Sequence, residues 1–222
     1  MGRISEERSF CQGIPLMLFG NMTILEQKIS QLGGVVPLLI SEPALKQKLE
    51  QIRLVIFDVD GVLTDGLAYY DNNGMAFKSF SMRDGFGFVL AKFSGLELAC
   101  LTGNVAEMVK RRLEAFGITR IKGGHFRKSQ FFEEILQETG IDRQLTAYVG
   151  DDIFDLPVLS QVGLAIAPAD AHPEVLSKVH AITSASGGKG VVREVVEAIV
   201  KAKGIWEQVL LDIERDERGG RG

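Results

Sequence analysis

The sequence predicts an α/β fold, a doubly wound parallel sheet with helices on both faces, and three observations lead there. Short apolar runs rich in Val, Ile and Ala recur along the chain, they alternate with segments of helical period, and several end in polar or acidic residues. The run Leu54-Val55-Ile56-Phe57 is followed at once by Asp58-Val59-Asp60-Gly61. An unbroken apolar run reads as a strand buried on both faces, and in an open α/β sheet the carboxyl ends of strands are where ligands bind. Asp58 and Asp60, two positions apart, would share a face on a straight strand, and Gly61 lets the chain turn sharply beyond them.

The elements follow in order. Residues 1–41 form an N-terminal extension of weak periodicity, interrupted by Gly33, Gly34 and Pro37, with Met17 and Met22 as alternative starts. Glu42 to Ile52 reads as a short amphipathic helix with Pro43 near its start. Leu67 to Tyr70 and Met75 to Phe80 flank the turn-forming Asp71-Asn72-Asn73-Gly74, which predicts a β-hairpin flap beside the acidic stretch. Asp84 would cap a helix over Gly85 to Phe93. Leu96 to Leu101 is a second buried strand, ending in Thr102-Gly103-Asn104, and Val105 to Phe116 is a helix stopped by Gly117. Ile118 to Ile121 is a short strand, Lys128 to Thr139 a helix capped by Gly140, and Ala147 to Val149 a strand ending in Gly150-Asp151-Asp152. Phe154 to Ser160 reads as helical, Gly163 to Ala167 as a strand, and Val191 to Ala202 as a well-patterned helix. The domain therefore spans residues 42–211, and residues 212–222 read as a frayed, charged, glycine-rich tail.

Composition narrows the function classes. The 222 residues are 45% hydrophobic and 24% charged, which suits one full core rather than two domains. The net charge is −4 and the basic residues are scattered, so no nucleic-acid footprint is expected. The apolar stretch from Gly13 to Phe19 is too short to span a bilayer. The two cysteines, Cys11 and Cys100, lie far apart and neither has a Cys or His at metal-ligand spacing, which fits free thiols in a reducing cytoplasm. His125, His172 and His180 read as loop or surface residues rather than ligands.

Polar residues recur where the strands of a parallel sheet converge: Asp58 and Asp60, Thr102, then Asp151 with Asp152, with Lys128 opening an intervening helix. Carboxylates from two strands make a hard-oxygen site suited to Mg²⁺, whereas zinc would prefer His or Cys. A carboxylate that attacks a phosphoryl group needs its own charge and that of the substrate offset, which Mg²⁺ and a lysine can do, while a hydroxyl and backbone N–H groups hold the remaining oxygens. Ser186-Gly187-Gly188-Lys189-Gly190 lacks the spacing and following Ser or Thr of a Walker loop and reads as a substrate-facing turn.

This set resembles the haloacid dehalogenase superfamily, whose four motifs stand in order as Asp58-Val59-Asp60-Gly61-Val62, Leu101-Thr102-Gly103, Lys128, and Gly150-Asp151-Asp152-Ile153-Phe154-Asp155. The resemblance implies Asp58 as nucleophile and Asp60 as general acid/base. It implies Mg²⁺ on Asp58, the backbone carbonyl of Asp60 and Asp151, with Thr102 and Lys128 on the phosphoryl oxygens and Asp152 and Asp155 supporting metal and lysine. Closer still, Met82 to Gly87, Ala167 to Pro173 and Gly187 to Glu194 resemble the 3-deoxy-D-manno-octulosonate 8-phosphate phosphatase family. That resemblance implies a small sugar phosphate as substrate, no cap domain, and a homotetramer in which the hairpin and a neighbouring subunit complete each site, while the short apolar stretch leaves no membrane partner expected. Gly103 would join Thr102 on the phosphoryl oxygens, and Arg83, Asn104, Arg112 and Lys189 would line the mouth with donors enough for a carboxylate beyond the phosphate, Arg112 standing where the resemblance implies contact with a neighbouring subunit's substrate. Asn104 departs both from the arginine common in the family and from the glutamate of relatives acting on nine-carbon acids, which also carry lysine at the position of Ala115, so the chain matches neither specificity pattern and a nine-carbon 9-phosphate stands as the alternative substrate. A phospho-accepting receiver and a catalytically silent scaffold of the same fold are the rivals of a different class. The paired Asp58 and Asp60 speak against the first and the intact motif set against the second.

Overall fold

The structure, a computed structural model, describes residues 36–37, 43–125 and 127–219. Its centre is β2 (Leu54–Phe57), paired in parallel with β5 (Glu97–Thr102) on one side and with β7 (Thr146–Val149) on the other. Beyond β5 lies β6 (Ile121–Gly123); beyond β7 lie β8 (Leu164–Ala167), β9 (Ala181–Ile182) and the short edge strand β1 (Val36–Pro37). All these pairings are parallel. From β2 the chain runs outward through β5 to β6, then returns to the other side of β2 and runs outward again from β7. The order therefore reverses between β2 and β7, and that reversal opens a crevice at their carboxyl ends.

The central strands are apolar throughout because each face has its own core. Val55, Phe57, Leu98, Cys100, Ala147, Val149 and Ile166 pack under α1 (Pro43–Gln51), α2 (Met82–Ser94), α3 (Glu107–Glu114) and α7 (Val191–Ala202). Leu54, Ile56, Ala99, Leu101, Tyr148 and Ala165 alternate to the opposite face, under α4 (Lys128–Thr139), α5 (Leu156–Leu159) and α6 (Pro173–Leu176). The doubly wound parallel sheet is as expected from the sequence. No cap-sized insertion lies between its elements among the described residues; the irregular piece is the antiparallel hairpin of β3 (Tyr69–Asp71) and β4 (Gly74–Phe77). Asp71 pairs with Gly74 across Asn72-Asn73, and the Asp71 Oδ1 accepts from the Asn73 N–H at 2.7 Å, which closes the turn.

Several elements depart from the expectation. Asp84 does not cap the second helix: α2 begins at Met82, Ser81 is its N-cap, and the Ser81 hydroxyl accepts from the Arg83 N–H. Asp84 faces inward instead, where its Oδ1 accepts from the Arg193 N–H at the start of α7. The second hairpin strand ends at Phe77 rather than Phe80. The tail is not frayed from Asp212: α8 (Trp206–Gly219) runs through it, held on its exposed side by Gln208 to Asp212 and Arg215 to Asp212 contacts three and four residues apart. Of the expected extension, residues 36–37 join the sheet edge; Cys11, the stretch from Gly13 to Phe19, Met17, Met22, Gly33 and Gly34 lie outside the described residues. Among the described residues no helix is long and apolar enough to cross a membrane.

Candidate active site

The site is built at the reversal. β2 ends at Phe57, the Asp58 N–H still donates to the Val149 carbonyl of β7, and Asp58 is thereby fixed beside Gly150 and Asp151. The chain then coils rather than running straight, since the Val59 carbonyl accepts from the N–H groups of Leu63 and Thr64. Asp58 and Asp60 consequently do not share a face as a straight strand would have had them. Asp58 turns into the protein toward α4, and Asp60 stays half-exposed at the mouth.

Lys128, the first residue of α4, is buried with its ammonium between two carboxylates, 2.8 Å from Asp58 Oδ2 and 2.6 Å from Asp155 Oδ1. Asp155 is saturated. Its Oδ1 also accepts from the Tyr148 hydroxyl at 2.5 Å, and its Oδ2 accepts from the N–H groups of Asp151 and Asp152 at 3.1 Å each. A Cβ on Gly150 would sit 2.5 Å from the Asp155 carboxyl carbon, so glycine there is what lets Asp155 fold back beneath the strand end. Asp152 caps the short 3₁₀ turn Ile153–Asp155, its side chain accepting from the Phe154 N–H.

Asp58, Asp151 and Asp155 each present an oxygen within 4.8 Å of the others. Burial pushes the Asp58 carboxyl well above the ordinary carboxylate range, with the charges of Asp155 and Asp151 pushing the same way against Lys128. Asp151 is pushed up to about 7, first by burial and then by Asp155. For Lys128 burial works against the charge, yet the Asp58 and Asp155 carboxylates outweigh it and raise its pKa. Three carboxylates thus share one ammonium in a low-dielectric pocket, and the excess negative charge calls for a further cation. Asp151 Oδ1 is buried without a hydrogen-bond partner, and a Cβ on Gly61 would stand 2.0 Å from the other Asp151 oxygen. A free hard-oxygen donor with its approach kept open by glycine fits a small divalent ion.

Over these groups lies a cleft of about 500 Å³, lined by Asp58, Asp60, Gly103, Asn104, Lys128 and Asp151 and walled by Tyr70, Met75 and Lys78 of the hairpin. Thr102 is fully buried at the end of β5, its hydroxyl closing a turn with the backbone N–H and carbonyl of Asn104 at 3.2 Å. Not every expected residue converges. Arg83 is exposed beside Gly190, and Lys189 is exposed in a loop whose Gly187 abuts the Gly61 carbonyl; neither lines the cleft. Arg112 lies over the Phe116 ring at 4.5 Å and reaches Met82 Sδ at 3.5 Å, away from the cleft of its own chain. His172 and His180 accept backbone N–H groups of Glu174 and Ala165 and take no part.

Two residues escaped the sequence reading. Tyr148 looks like one more apolar strand position, and only its parity with Ile56 and Ala165, on the α4 face, points its hydroxyl toward Asp155. Lys78 follows β4, and its ammonium lies 2.6 Å from Asp60 Oδ1. The available signal was the one basic residue of the hairpin, set with Ser79 between Phe77 and Phe80.

A family model described as haloacid dehalogenase-like hydrolase matches residues 102–195. The chain is 45% identical over 157 residues to the 3-deoxy-D-manno-octulosonate 8-phosphate phosphatase KdsC of Escherichia coli (strain K12), covering 71% of this chain and 84% of the relative. The crystal structure of the phosphatase of that name from Yersinia pestis superposes with a TM-score of 0.71 at 41% identity, over 73% of this chain and 88% of the other. The Moraxella catarrhalis enzyme of that name, solved in complex with a magnesium ion, a phosphate ion and a KDO molecule, superposes with a TM-score of 0.74 at 34% identity, over 78% and 99%.

Proposed function

This chain belongs to the 3-deoxy-D-manno-octulosonate 8-phosphate phosphatase family of haloacid dehalogenase-like hydrolases and is a phosphoric monoester hydrolase; on that premise we propose that it splits 3-deoxy-D-manno-octulosonate 8-phosphate into the free sugar acid and inorganic phosphate. The observation that carries the reading is Lys128 buried between Asp58 and Asp155, beside a carboxylate oxygen of Asp151 left without a partner.

In this reading an Asp58 oxygen attacks phosphorus, the bond from phosphorus to the sugar oxygen breaks, and that oxygen takes a proton from Asp60. Water then attacks the aspartyl-phosphate and gives its proton to Asp60 while the bond to Asp58 breaks, which returns Asp58 as a carboxylate and Asp60 as an acid and frees phosphate. Lys128 offsets the charge of the nucleophile and of the incoming phosphoryl oxygens, and Asp155, held by Tyr148 and two N–H groups, keeps the lysine in place. Thr102 and Gly103, at the end of the strand beside Asp58, are assigned to the remaining phosphoryl oxygens. Asp58, Asp151 and the backbone carbonyl of Asp60 would hold Mg²⁺. When bound, the ion supplies the positive charge that three carboxylates and a phosphate require.

Recognition of the sugar acid falls to Asn104 at the cleft wall and to Arg83, Arg112 and Lys189, which lie outside it and are assigned to the substrate's far end or to a neighbouring subunit's site. We further propose a homotetramer with the hairpin between subunits, supported by the exposed Leu67, Tyr69, Tyr70 and Phe77 of the flap and Met82 and Phe86 of α2. Residues 42–211 are taken as the catalytic domain, in the cytoplasm. The test is a panel of kcat/KM values for eight- and nine-carbon keto sugar acid phosphates against hexose phosphates. Preference for the eight-carbon compound is expected, preference for the nine-carbon one moves the assignment to it, and preference for hexose phosphates overturns the substrate class.

A further inference from the structure

We propose that Lys78 is a positioning residue that holds Asp60 in register for proton transfer. The inference rests on the phosphatase reading and on Asp60 as its acid and base. Lys78 stands where β4 leaves the hairpin, and its side chain is 3% exposed while that of Asp60 is 40% exposed. An ammonium this deeply covered is costly unless paired, and the carboxylate it meets is Asp60, at 2.6 Å. The contact falls on Asp60 Oδ1, to which the Thr64 hydroxyl also comes within 3.5 Å, leaving Oδ2 to carry the proton.

Without that tether the Asp60 side chain, half-exposed at the mouth, would be free among several rotamers, and a general acid works only when its oxygen lies within hydrogen-bond reach of the leaving atom. The tether has a second end. Tyr70 and Met75 wall the cleft on the same hairpin, so the ion pair also draws this flap onto the loop that follows β2. Lys128 cannot stand in for Lys78, because it is already shared by Asp58 and Asp155 on the other side of the pocket.

Leaving-group dependence separates this role from others. A sugar alkoxide must be protonated as it leaves, whereas a phenolate of low pKa departs unaided, and kcat/KM reports only the steps up to the aspartyl-phosphate. The experiment compares kcat/KM for the sugar acid phosphate and for p-nitrophenyl phosphate in wild type, Lys78→Met, Lys78→Arg and Asp60→Asn. Lys78→Met is expected to lose about 10- to 100-fold on the sugar phosphate and no more than about threefold on the aryl phosphate, with Lys78→Arg recovering most of the loss. Asp60→Asn should show the same asymmetry, larger. Equal losses of Lys78→Met on both substrates would mean that Lys78 binds phosphate or supports the fold, and no loss on either would mean that it is idle; each overturns the proposal. If Asp60→Asn itself shows no asymmetry, the acid–base reading fails first and the role of Lys78 fails with it.

Discussion

Tyr148 and Asp151 show how much of the site rests on single polar atoms. The Tyr148 hydroxyl is one of four donors to the buried Asp155 carboxyl, and burial followed by the Asp155 charge raises the phenol pKa well above its ordinary value. Tyr148→Phe removes a hydrogen bond to a buried charge and should cost about 1.5–3 kcal/mol in urea unfolding, and a cost near zero would show that Asp155 does not need it. Asp151, pushed up to about 7, gives a pH dependence of definite sign. An unfolded aspartate titrates near about 3.9. Between that value and about 7 the metal-free native state therefore holds a proton that the unfolded state has lost, and stability falls as pH rises through this window. In excess chelator the melting temperature should drop between pH 5 and pH 7.5 more in wild type than in Asp151→Asn, and Mg²⁺ should remove most of that difference. An identical pH dependence in the two proteins would contradict the assignment. Asp58, Asp60, Thr102 and Asp151 were legible in the sequence because acidic or polar residues after apolar runs have few structural uses, whereas Lys128, at the start of a helix, stood out only alongside the other motifs. Lys78 and Tyr148 were not legible, because a lysine after a strand and a tyrosine within one have many.

At the scale of elements, the turn after β2 governs the site. Gly61 has φ +83 and would drive a Cβ into the Asp151 carboxylate, whereas Gly95, with φ +71 at the end of α2, has open space around it. Gly61→Ala and Gly95→Ala should each destabilise by more than about 1 kcal/mol through backbone strain, but only the first should abolish turnover. Equal activities of the two variants would show that the approach of Gly61 to Asp151 is not what keeps the pocket open. Long periodic elements were readable within a residue or two: α4 and α7 fall on the expected residues, with Gly140 as the left-handed cap of α4. The failures are tertiary. Asp84 precedes a helical pattern and so looks like its cap, yet the close packing of α2 on α7, with the Gly87 Cα side against the Arg193 backbone, draws it inward to the start of the later helix. The strands β1 and β9, two residues each, carry no periodicity of their own and exist only because the sheet edge is there to receive them.

For the whole molecule, strands alternating with helices through short links left one architecture open, and the reversal of strand order then decided which strand ends meet. The aromatic hairpin face of Tyr69 and Phe77, stacked with centroids 4.3 Å apart and exposed to solvent, is what supports the proposed tetramer. Light scattering should return four times the mass of one chain, and a fully active monomer would contradict the assembly.

All of this chemistry turns on Asp58 as the atom donor to phosphorus. Phosphate release from 3-deoxy-D-manno-octulosonate 8-phosphate in the presence of Mg²⁺, compared between wild type and a folded Asp58→Asn, is the most direct measurement of it. The loss should be about 10³-fold or more, since the amide keeps the shape and cannot form the aspartyl-phosphate. Turnover by the variant within about tenfold of wild type would contradict the account, because a nucleophile cannot be removed at so small a cost.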